Sequence, residues 1–165
     1  MRSIVLFLMV IVLLSCDGGL APTPIIDPGF GGTITFVHST WPPRDSLVNL
    51  WIVASQDYPL DSITVFAGIF SNPPRIYAYP NLAQNLPFNV DTLSYAFHLP
   101  PANYKYIVVI QRFRNELNAR ALKVVGLYGR QDDPQQPRSL SLHDFEFING
   151  ININVNFYKL PPQPF

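Results

Sequence analysis

The chain has little cysteine and little charge. Cys16 is the only cysteine among 165 residues, which excludes a disulfide within one chain. Charged residues make up 13% of the sequence, about half of the usual ~25%, so the surface must rely on neutral polar side chains. Lysine and arginine number 11, and aspartate and glutamate also number 11, so no cationic excess is left for neutralising phosphates. The composition therefore argues against nucleic-acid binding.

Sequence motifs of several enzyme classes are also missing. The chain lacks the Gly-x-Ser-x-Gly of serine hydrolases, the Gly-x-Gly-x-x-Gly of dinucleotide sites and the Gly-Lys-Ser/Thr phosphate loop. Proline, in contrast, is abundant: its 17 residues are about twice the average share of ~5%. Because proline interrupts helices and is excluded from central strands, this count predicts many loops between short strands. We predict no cofactor and no catalytic residue.

The N-terminal segment has the features of an export signal. Arg2 supplies a positive charge, and the residues from Ile4 to Leu14 are uninterruptedly apolar. Secretory signals use about 7–15 apolar residues, whereas a membrane-spanning helix needs roughly 20. The segment ends in a motif that resembles the cleavage site of bacterial lipoproteins, Leu13-Leu14-Ser15-Cys16.

The resemblance to lipoproteins implies that a diacylglyceryl group is attached to the Cys16 sulfur and that cleavage before Cys16 removes residues 1–15. Several acyl chains on one cysteine form a lasting tether, whereas a single myristoyl chain binds a membrane only marginally. We therefore expect a protein of the bacterial cell envelope, held at a membrane through lipid on Cys16. Asp17 follows, and an aspartate there favours inner-membrane retention in enteric bacteria. Since that rule depends on lineage, the outer membrane is favoured and the inner membrane stays open.

The remainder of the chain divides into three parts. Residues 16–30 are rich in proline and glycine and predict a flexible linker after the acylated cysteine. Residues 31–160 carry the strand patterns and form the predicted domain. Residues 161–165 are a proline-rich tail. One domain of this size can bury an independent core.

Apolar patterning predicts strands along most of the domain. Leu47 to Ala54 is nearly all apolar, which is typical of a strand buried on both faces. Tyr104 to Phe113 contains Tyr-Lys-Tyr-Ile-Val-Val-Ile, which predicts a central strand. Thr92 to Leu99 alternates as a strand with one buried face. The segment 62–70 fits a helix with Asp61 as N-cap as well as a strand, and its β-branched residues and Gly68 favour the strand. The proline-rich segment 71–91 is predicted to be a long loop.

The most specific local prediction concerns the end of the domain. Leu140 to Ile148 and Ile151 to Tyr158 flank Asn149-Gly150, the preferred pair for a type I′ hairpin turn. In the last strand the apolar and asparagine residues alternate strictly, so one face should be buried and the other exposed. These signals together predict seven or eight strands in an all-β, antiparallel β-sandwich.

One stretch carries a more specific resemblance. Residues 99–109 read Leu-Pro-Pro-Ala-Asn-Tyr-Lys-Tyr-Ile-Val-Val, which resembles the turn and strand of transthyretin-like and carboxypeptidase-regulatory-like sandwiches. Ala102-Asn103 replaces the Gly-Thr of that pattern. The resemblance implies a prealbumin-like or immunoglobulin-like sandwich of the kind found in envelope lipoproteins. Such domains are mostly non-catalytic modules, so the resemblance implies no active site.

Polar residues give weak signals of chemistry. His38, His98 and His143 lie far apart in sequence with no short-spaced pair, so no metal site is predicted. Asp144 and Glu146 are two residues apart, and a strand would place both carboxylates on one face. A hydrolase with a scattered site remains a third hypothesis, to be tested by whether His98 or His143 meets a carboxylate and a hydroxyl.

Aromatic residues in the proline-rich segment give the second hypothesis. Tyr77, Tyr79 and Phe88 are candidate ligand-binding residues, since aromatic rings can stack on a sugar or enclose a small apolar molecule. The leading hypothesis is a non-enzymatic module that binds or scaffolds an envelope protein or glycan partner. The small-ligand or glycan-binding lipoprotein is its alternative.

Overall fold

The computed structural model describes residues 26–116 and 118–164. The signal peptide, Cys16 and most of the predicted linker lie outside the described residues. Within them the chain is mainly β-structure, with one α-helix, α1 (Ser62–Phe70), and short 3-10 turns. The strands are β1 (Gly29–Phe36), β2 (Asn49–Ser55), β3 (Ile76–Tyr79), β4 (Thr92–His98), β5 (Ala102–Tyr104), β6 (Tyr106–Arg112), β7 (Leu122–Leu127), β8 (Leu140–Leu142), β9 (Phe147–Ile148) and β10 (Ile153–Val155). The all-β class predicted from the sequence is therefore confirmed.

Most of the strands form one mixed sheet. Seven of its eight strands follow the order β3-β2-β6-β7-β10-β1-β4, and β9 pairs with β1 beside this path. Antiparallel pairs join β2 to β3 and β6, β6 to β7, β7 to β10 and β1 to β4. Strand β1, however, runs parallel to both β9 and β10. The prediction of antiparallel pairing throughout is therefore wrong for these two pairs.

The predicted hairpin at Asn149-Gly150 is also wrong. A type I′ turn needs a positive φ at both central residues, and only Gly150 has one, at 84°. The chain continues along β1 instead, with Phe30 opposite Ile148 and Ile34 opposite Ile153. The register slips by one residue between these two pairs, as it does at a β-bulge. Long-range pairing with β1 thus replaces the local turn.

The alternation predicted for the last strand is confirmed by burial from Ile151 to Val155 and ends there, since Asn156 and Phe157 are both half-buried. Ile151, Ile153 and Val155 are buried, whereas Asn152 and Asn154 are exposed. The exposed face still contributes to pairing, because the Asn152 side-chain oxygen accepts a 2.9 Å hydrogen bond from the backbone N–H of Thr33. The segment is therefore joined to β1 by this side chain as well as by backbone pairing.

Strands β2 and β6 lie at the centre of two apolar clusters, as their continuous apolar runs predicted. The inner cluster includes Phe30, Ile34, Leu50, Ile52, Tyr95, Phe97, Ile107, Val109, Val125 and Ile153. The outer cluster, on the opposite face of the sheet, comprises Trp51, Val53, Leu60, Val65, Ile76, Tyr106, Val108 and Val124. Alternate residues of each strand contribute to opposite clusters, as the period of a strand requires.

The sheet curls around the inner cluster. Its two edge strands are β3 and β4, yet the rings of Tyr79 on β3 and Phe97 on β4 lie 5.4 Å apart. Strand β3 lies within the segment predicted as a loop, and that prediction is wrong for residues 76–79. The four residues pair with β2 between Ile52 and Ser55. Because this edge strand is short and flanked by prolines, its sequence shows only a weak strand signal.

Helix α1 replaces the strand favoured for residues 62–70. Asp61 accepts hydrogen bonds from the backbone N–H groups of Ile63 and Thr64, and the Thr64 hydroxyl accepts one from the Asp61 N–H. This reciprocal pairing is a capping box, which satisfies N–H groups that the first helical turn leaves free. The cap and the packing of α1 on the outer cluster therefore outweigh the low helix propensity of the β-branched residues.

The remaining elements close the ends of the domain. Strands β5 and β8 form a separate antiparallel pair. Within the proline-rich tail, the Gln163 side chain accepts a hydrogen bond from the Val124 N–H at 2.9 Å and donates one to the Val124 carbonyl at 3.0 Å. The tail is therefore attached to β7 through this side chain.

Candidate functional site

An apolar groove lies on the outer face of the sheet, between α1 and β3. Its volume is about 410 Å³, within the range of about 300–1,000 Å³ that small-molecule sites occupy. It is lined by Trp51, Val53, Val65, Ile69, Pro74, Ile76, Tyr77, Ala78, Asn81, Leu82, Ile110 and Leu122. We refer to this depression as the α1 groove.

Five elements and one loop build the walls of the groove. The floor comes from alternate residues of β2, Trp51 and Val53, with contributions from β6 and β7. One wall is the inward face of α1, through Val65 and Ile69. The opposite wall is β3 with the residues on either side of it, of which Leu82 is 53% exposed at the rim. The groove is therefore a product of long-range packing rather than of a local motif.

The C-terminal end of α1 is tied to the segment that leads into β3. The Gly68 carbonyl accepts hydrogen bonds of 2.9 Å from both the Arg75 N–H and the Ser71 hydroxyl. Helix and strand approach so closely that a Cβ at position 68 would meet the Ile76 side chain at 2.7 Å. A residue larger than glycine at this position would therefore force apart the two walls of the groove.

Trp51 holds a fixed orientation in the floor. Its indole N–H donates a 2.8 Å hydrogen bond to the Gln84 carbonyl, and the residue is 7% exposed. The Arg112 guanidinium lies over its ring, 5.9 Å from the centroid, within the distance at which a cation is attracted to an aromatic face. Trp51 is therefore a rigid reporter of the groove, whereas Trp41 packs elsewhere, between Phe36 and Phe157.

The polar groups at the groove are few. Tyr77 and Asn81 supply a hydroxyl and an amide, and the indole N–H of Trp51 is already engaged. Burial raises the pKa of the Tyr77 hydroxyl above its usual value, so it stays protonated at neutral pH. These groups can orient a ligand by hydrogen bonds, and the other lining residues can make only apolar contacts with it.

The structure gathers the predicted ligand residues only in part. Tyr77, Tyr79 and Phe88 all pack against the inner cluster, and of the three only Tyr77 also lines the α1 groove. The Tyr79 ring contacts Tyr95 and Phe97, which makes it a link between the sheet edges. The segment 71–91 nevertheless supplies half of the groove lining. The sequence therefore indicated the segment that lines much of the groove, but two of the three side chains predicted there, Tyr79 and Phe88, do not line it.

Several groove residues were missed by sequence reasoning. Trp51 and Val53 were assigned to a buried strand without a site, and Val65 and Ile69 were read in a segment favoured as a strand. The available signal was Asp61 followed by Thr64, which places residues 65 and 69 one helical turn apart on the same face. Leu82 carried no sequence signal.

The histidines lie apart from the groove. His38, His98 and His143 are exposed, and His38 Nδ1 lies 2.7 Å from Asp91 Oδ1. Residues 143–146 join β8 to β9, so the expectation that a strand aligns Asp144 with Glu146 is wrong; Glu146 accepts from the His143 N–H instead. Within residues 26–116 and 118–164, no group of three metal-ligating side chains comes together.

Helix α1 should respond to acid through its cap. Hydrogen bonds from the backbone N–H and hydroxyl of Thr64 lower the pKa of Asp61 from its usual 3.8. A lowered folded-state pKa stabilises the fold above pH 3.8, and this contribution is lost as pH falls through the folded value. Asp61→Asn should therefore melt below the native protein at neutral pH, with the difference vanishing in acid. Melting curves at several pH values measure this difference, and a pH-independent difference would contradict the cap's role.

No helix in the part of the chain that the structure describes has the length and apolar character needed to cross a membrane. Comparison of the chain with models of protein families, with curated proteins and with solved structures finds no match.

Proposed function

We propose that this protein is a lipid-anchored, non-enzymatic binding module of a bacterial cell envelope, and that the α1 groove binds a small apolar molecule. The observation that carries the proposal is the groove itself, about 410 Å³ in volume and lined mainly by aliphatic and aromatic side chains. An apolar ligand seated there would remove both its own surface and that of the groove from water, at about 25 cal/mol per Å².

The chemistry of the lining supports binding rather than catalysis. The polar side chains that line the groove are neutral, and its lining contains no acidic residue, no basic residue and no cysteine. Tyr77 and Asn81, the groove's polar side chains besides the engaged indole, suit a ligand with an apolar body and one polar end. An aliphatic or aromatic molecule therefore fits better than a glycan, whose many hydroxyls would find few partners here.

The lipid anchor is the second part of the proposal. It is supported by the export-type N-terminus and by the motif that ends in the chain's only cysteine, Cys16. The outer membrane is the favoured location. An anchored module of this kind would bring its ligand site to the membrane surface, where apolar molecules concentrate.

The finer description of the fold is also a proposal. A transthyretin-like or immunoglobulin-like sandwich is supported by Tyr104, which is fully buried and donates a 2.7 Å hydrogen bond to the Pro100 carbonyl. A tyrosine that bonds to the backbone a few residues upstream, near the start of a strand, is typical of immunoglobulin-like sandwiches. The antiparallel order β3-β2-β6-β7 is consistent with one layer of such a fold.

Ligand binding can be tested with N-phenyl-1-naphthylamine, an uncharged apolar fluorophore. The native protein should bind it saturably, with a change in Trp51 emission. Ala78 lines the groove, so Ala78→Leu should fill part of it and weaken binding at least about tenfold, or 1.4 kcal/mol. Fluorescence titration of the two proteins measures the ratio of dissociation constants.

The matched control for the groove is Ala96→Leu. Ala96 is exposed on β4, so the same substitution there adds the same side chain away from the groove. This variant should bind the fluorophore as the native protein does. Equal affinity in Ala78→Leu and Ala96→Leu, or no saturable binding by the native protein, would contradict the proposed function.

A further inference from the structure

The outward face of α1 is apolar. Ile63, Ala67 and Phe70 recur at the spacing of one helical face, and Ile63 and Phe70 are 79% and 81% exposed. Ala67 is exposed as well. We call these three residues the apolar stripe. A helix at a protein surface normally turns polar residues to water, so the stripe indicates that something covers this face.

A cluster of cations lies beside the stripe. Residues 112–123, from the end of β6 to the start of β7, contain four cations, Arg112, Arg114, Arg120 and Lys123, and one acidic residue, Glu116. Arg114, Arg120 and Lys123 are exposed, and we call these three the basic patch. The whole chain carries 11 residues of each sign, so this local excess is balanced by acidic residues elsewhere.

Stripe and patch form one continuous surface. A shallow depression is lined by Ile63 and Ala67 of the stripe and by Arg120 of the patch. A neighbouring one joins Ser62, at the start of α1, to Arg120, Lys123 and Phe113. Helix α1 itself contains no acidic residue, and the carboxylate of its capping residue Asp61 is engaged by the backbone of Ile63 and Thr64.

The cations are available for an external anion. In residues 26–116 and 118–164, salt bridges join His38 to Asp91, Arg75 to Asp57 and Arg130 to Asp132, and none includes the basic patch. Two members instead flank one ring: the Lys123 ammonium lies 4.4 Å and the Arg114 guanidinium 5.2 Å from the Phe113 centroid. Cations over an aromatic face keep their remaining hydrogen-bond donors free for a headgroup.

We propose that the apolar stripe and the basic patch together dock α1 onto an anionic lipid bilayer. An apolar helix face next to cations matches the two zones of one membrane leaflet. The apolar residues would enter the boundary with the acyl chains, and the cations would contact the phosphates of the headgroups. The inference rests on the proposed anchor only in that the lipid on Cys16 holds the domain near the bilayer. Docking by α1 would then place the α1 groove at the membrane surface.

The test measures the depth of α1 in vesicles that carry the acylated protein. Acylation leaves no free thiol at Cys16, the chain's only cysteine, so Ala67→Cys provides a single site for an environment-sensitive fluorophore. Lipid-resident nitroxides should quench a fluorophore at position 67 in phosphatidylglycerol–phosphatidylcholine vesicles. Quenching should be weaker in phosphatidylcholine alone or at high salt. The matched control is Ser94→Cys on exposed β4, where little quenching is expected.

Charge variants test the basic patch. Arg120→Gln with Lys123→Gln should reduce quenching at position 67 in the anionic vesicles, since each cation near such a surface contributes about fivefold in affinity. Arg138→Gln, an exposed arginine outside the patch, should leave it unchanged. Equal effects of the two sets of variants would overturn the role of the patch.

The outcomes separate the docking surface from the anchor. Flotation with phosphatidylcholine vesicles tests the anchor, because these vesicles present no net anionic surface, and failure to float contradicts the anchor alone. Quenching at position 67 in phosphatidylglycerol vesicles is required in either case, with Cys16→Ser added if the chain is not acylated so that position 67 keeps the single thiol, and its absence overturns the docking surface. Energy transfer between labelled copies without quenching by lipid would show that a second copy covers the stripe, and would also overturn it.

Discussion

Replacing Gly32 with alanine should destabilise the fold by about 3 kcal/mol, at the upper end of the usual cost of overpacking. A Cβ at position 32 would overlap the backbone of Ile151, including its carbonyl oxygen. Backbone atoms cannot rotate away as a flexible side chain can, so the parallel pairing of β1 with the 147–155 segment must open. Tyr95 would be affected too, because its hydroxyl donates a 2.6 Å hydrogen bond to the Ile151 carbonyl.

Denaturant unfolding of the native protein and Gly32→Ala measures this free energy. Gly150→Ala is the control in the same segment, because a Cβ there meets nothing within 4 Å and costs only the strain of its positive φ. That strain is about 1–2 kcal/mol. A change of less than about 0.5 kcal/mol in Gly32→Ala, the range of a neutral surface substitution, would contradict the parallel pairing.

Replacing Cys16 with serine should abolish incorporation of a fatty-acid probe in bacterial cells. A serine hydroxyl cannot form the thioether that joins the sulfur to a diacylglyceryl group, and the chain has no second cysteine to substitute. Binding of the protein to phosphatidylcholine vesicles should be lost together with the label. The effect should be complete because several acyl chains, each contributing about 0.8 kcal/mol per buried methylene, are removed at once.

Asp17→Ser is the matched control for this variant, since it alters the neighbouring residue and keeps the sulfur. Gel fluorescence of the probe and fractionation of the membranes measure the two effects. Asp17→Ser should retain the label, although the membrane in which it accumulates can change. Labelling of Cys16→Ser at the native level would refute the lipid anchor.

Strands could be predicted from the sequence where the apolar pattern of one strand alone reveals which of its faces are buried. The runs around residues 50–54 and 106–110 are apolar at every step because both faces of β2 and β6 are buried. The alternation from Ile151 to Val155 likewise follows from one buried and one exposed face. In both cases the burial of each face of a single strand decides which of its residues are apolar, so the pattern can be read from the local sequence.

Predictions from the sequence were wrong where contacts with distant residues decide the local conformation. Asn149-Gly150 prefers a hairpin locally, but the segment pairs with β1 instead, where the Ile151 N–H donates to the Gly31 carbonyl and Ile151 and Ile153 are buried. Strand β3 is recognisable only through its partner β2, since four residues between prolines give too short a pattern. Helix α1 has low intrinsic propensity and depends on its cap and on the outer cluster.

The α1 groove was unpredictable for the same reason. Its lining is drawn from β2, α1, β3, β6, β7 and the residues flanking β3, so segments that lie far apart in the sequence must come together to form it. The sequence indicated the segment 71–91 through its aromatic and proline content. It could not indicate which of those side chains face the groove, because that depends on the register of β3 on β2.

Photolabelling of the intact protein with an uncharged aliphatic diazirine, mapped by mass spectrometry, tests the proposed binding site most directly. Groove residues such as Val65, Ile69, Ala78 and Leu82 should be labelled saturably, and this labelling should be lost in Ala78→Leu. Labelling confined to the outward residues Ile63 and Phe70, or spread evenly over the surface, would contradict a ligand site in the α1 groove.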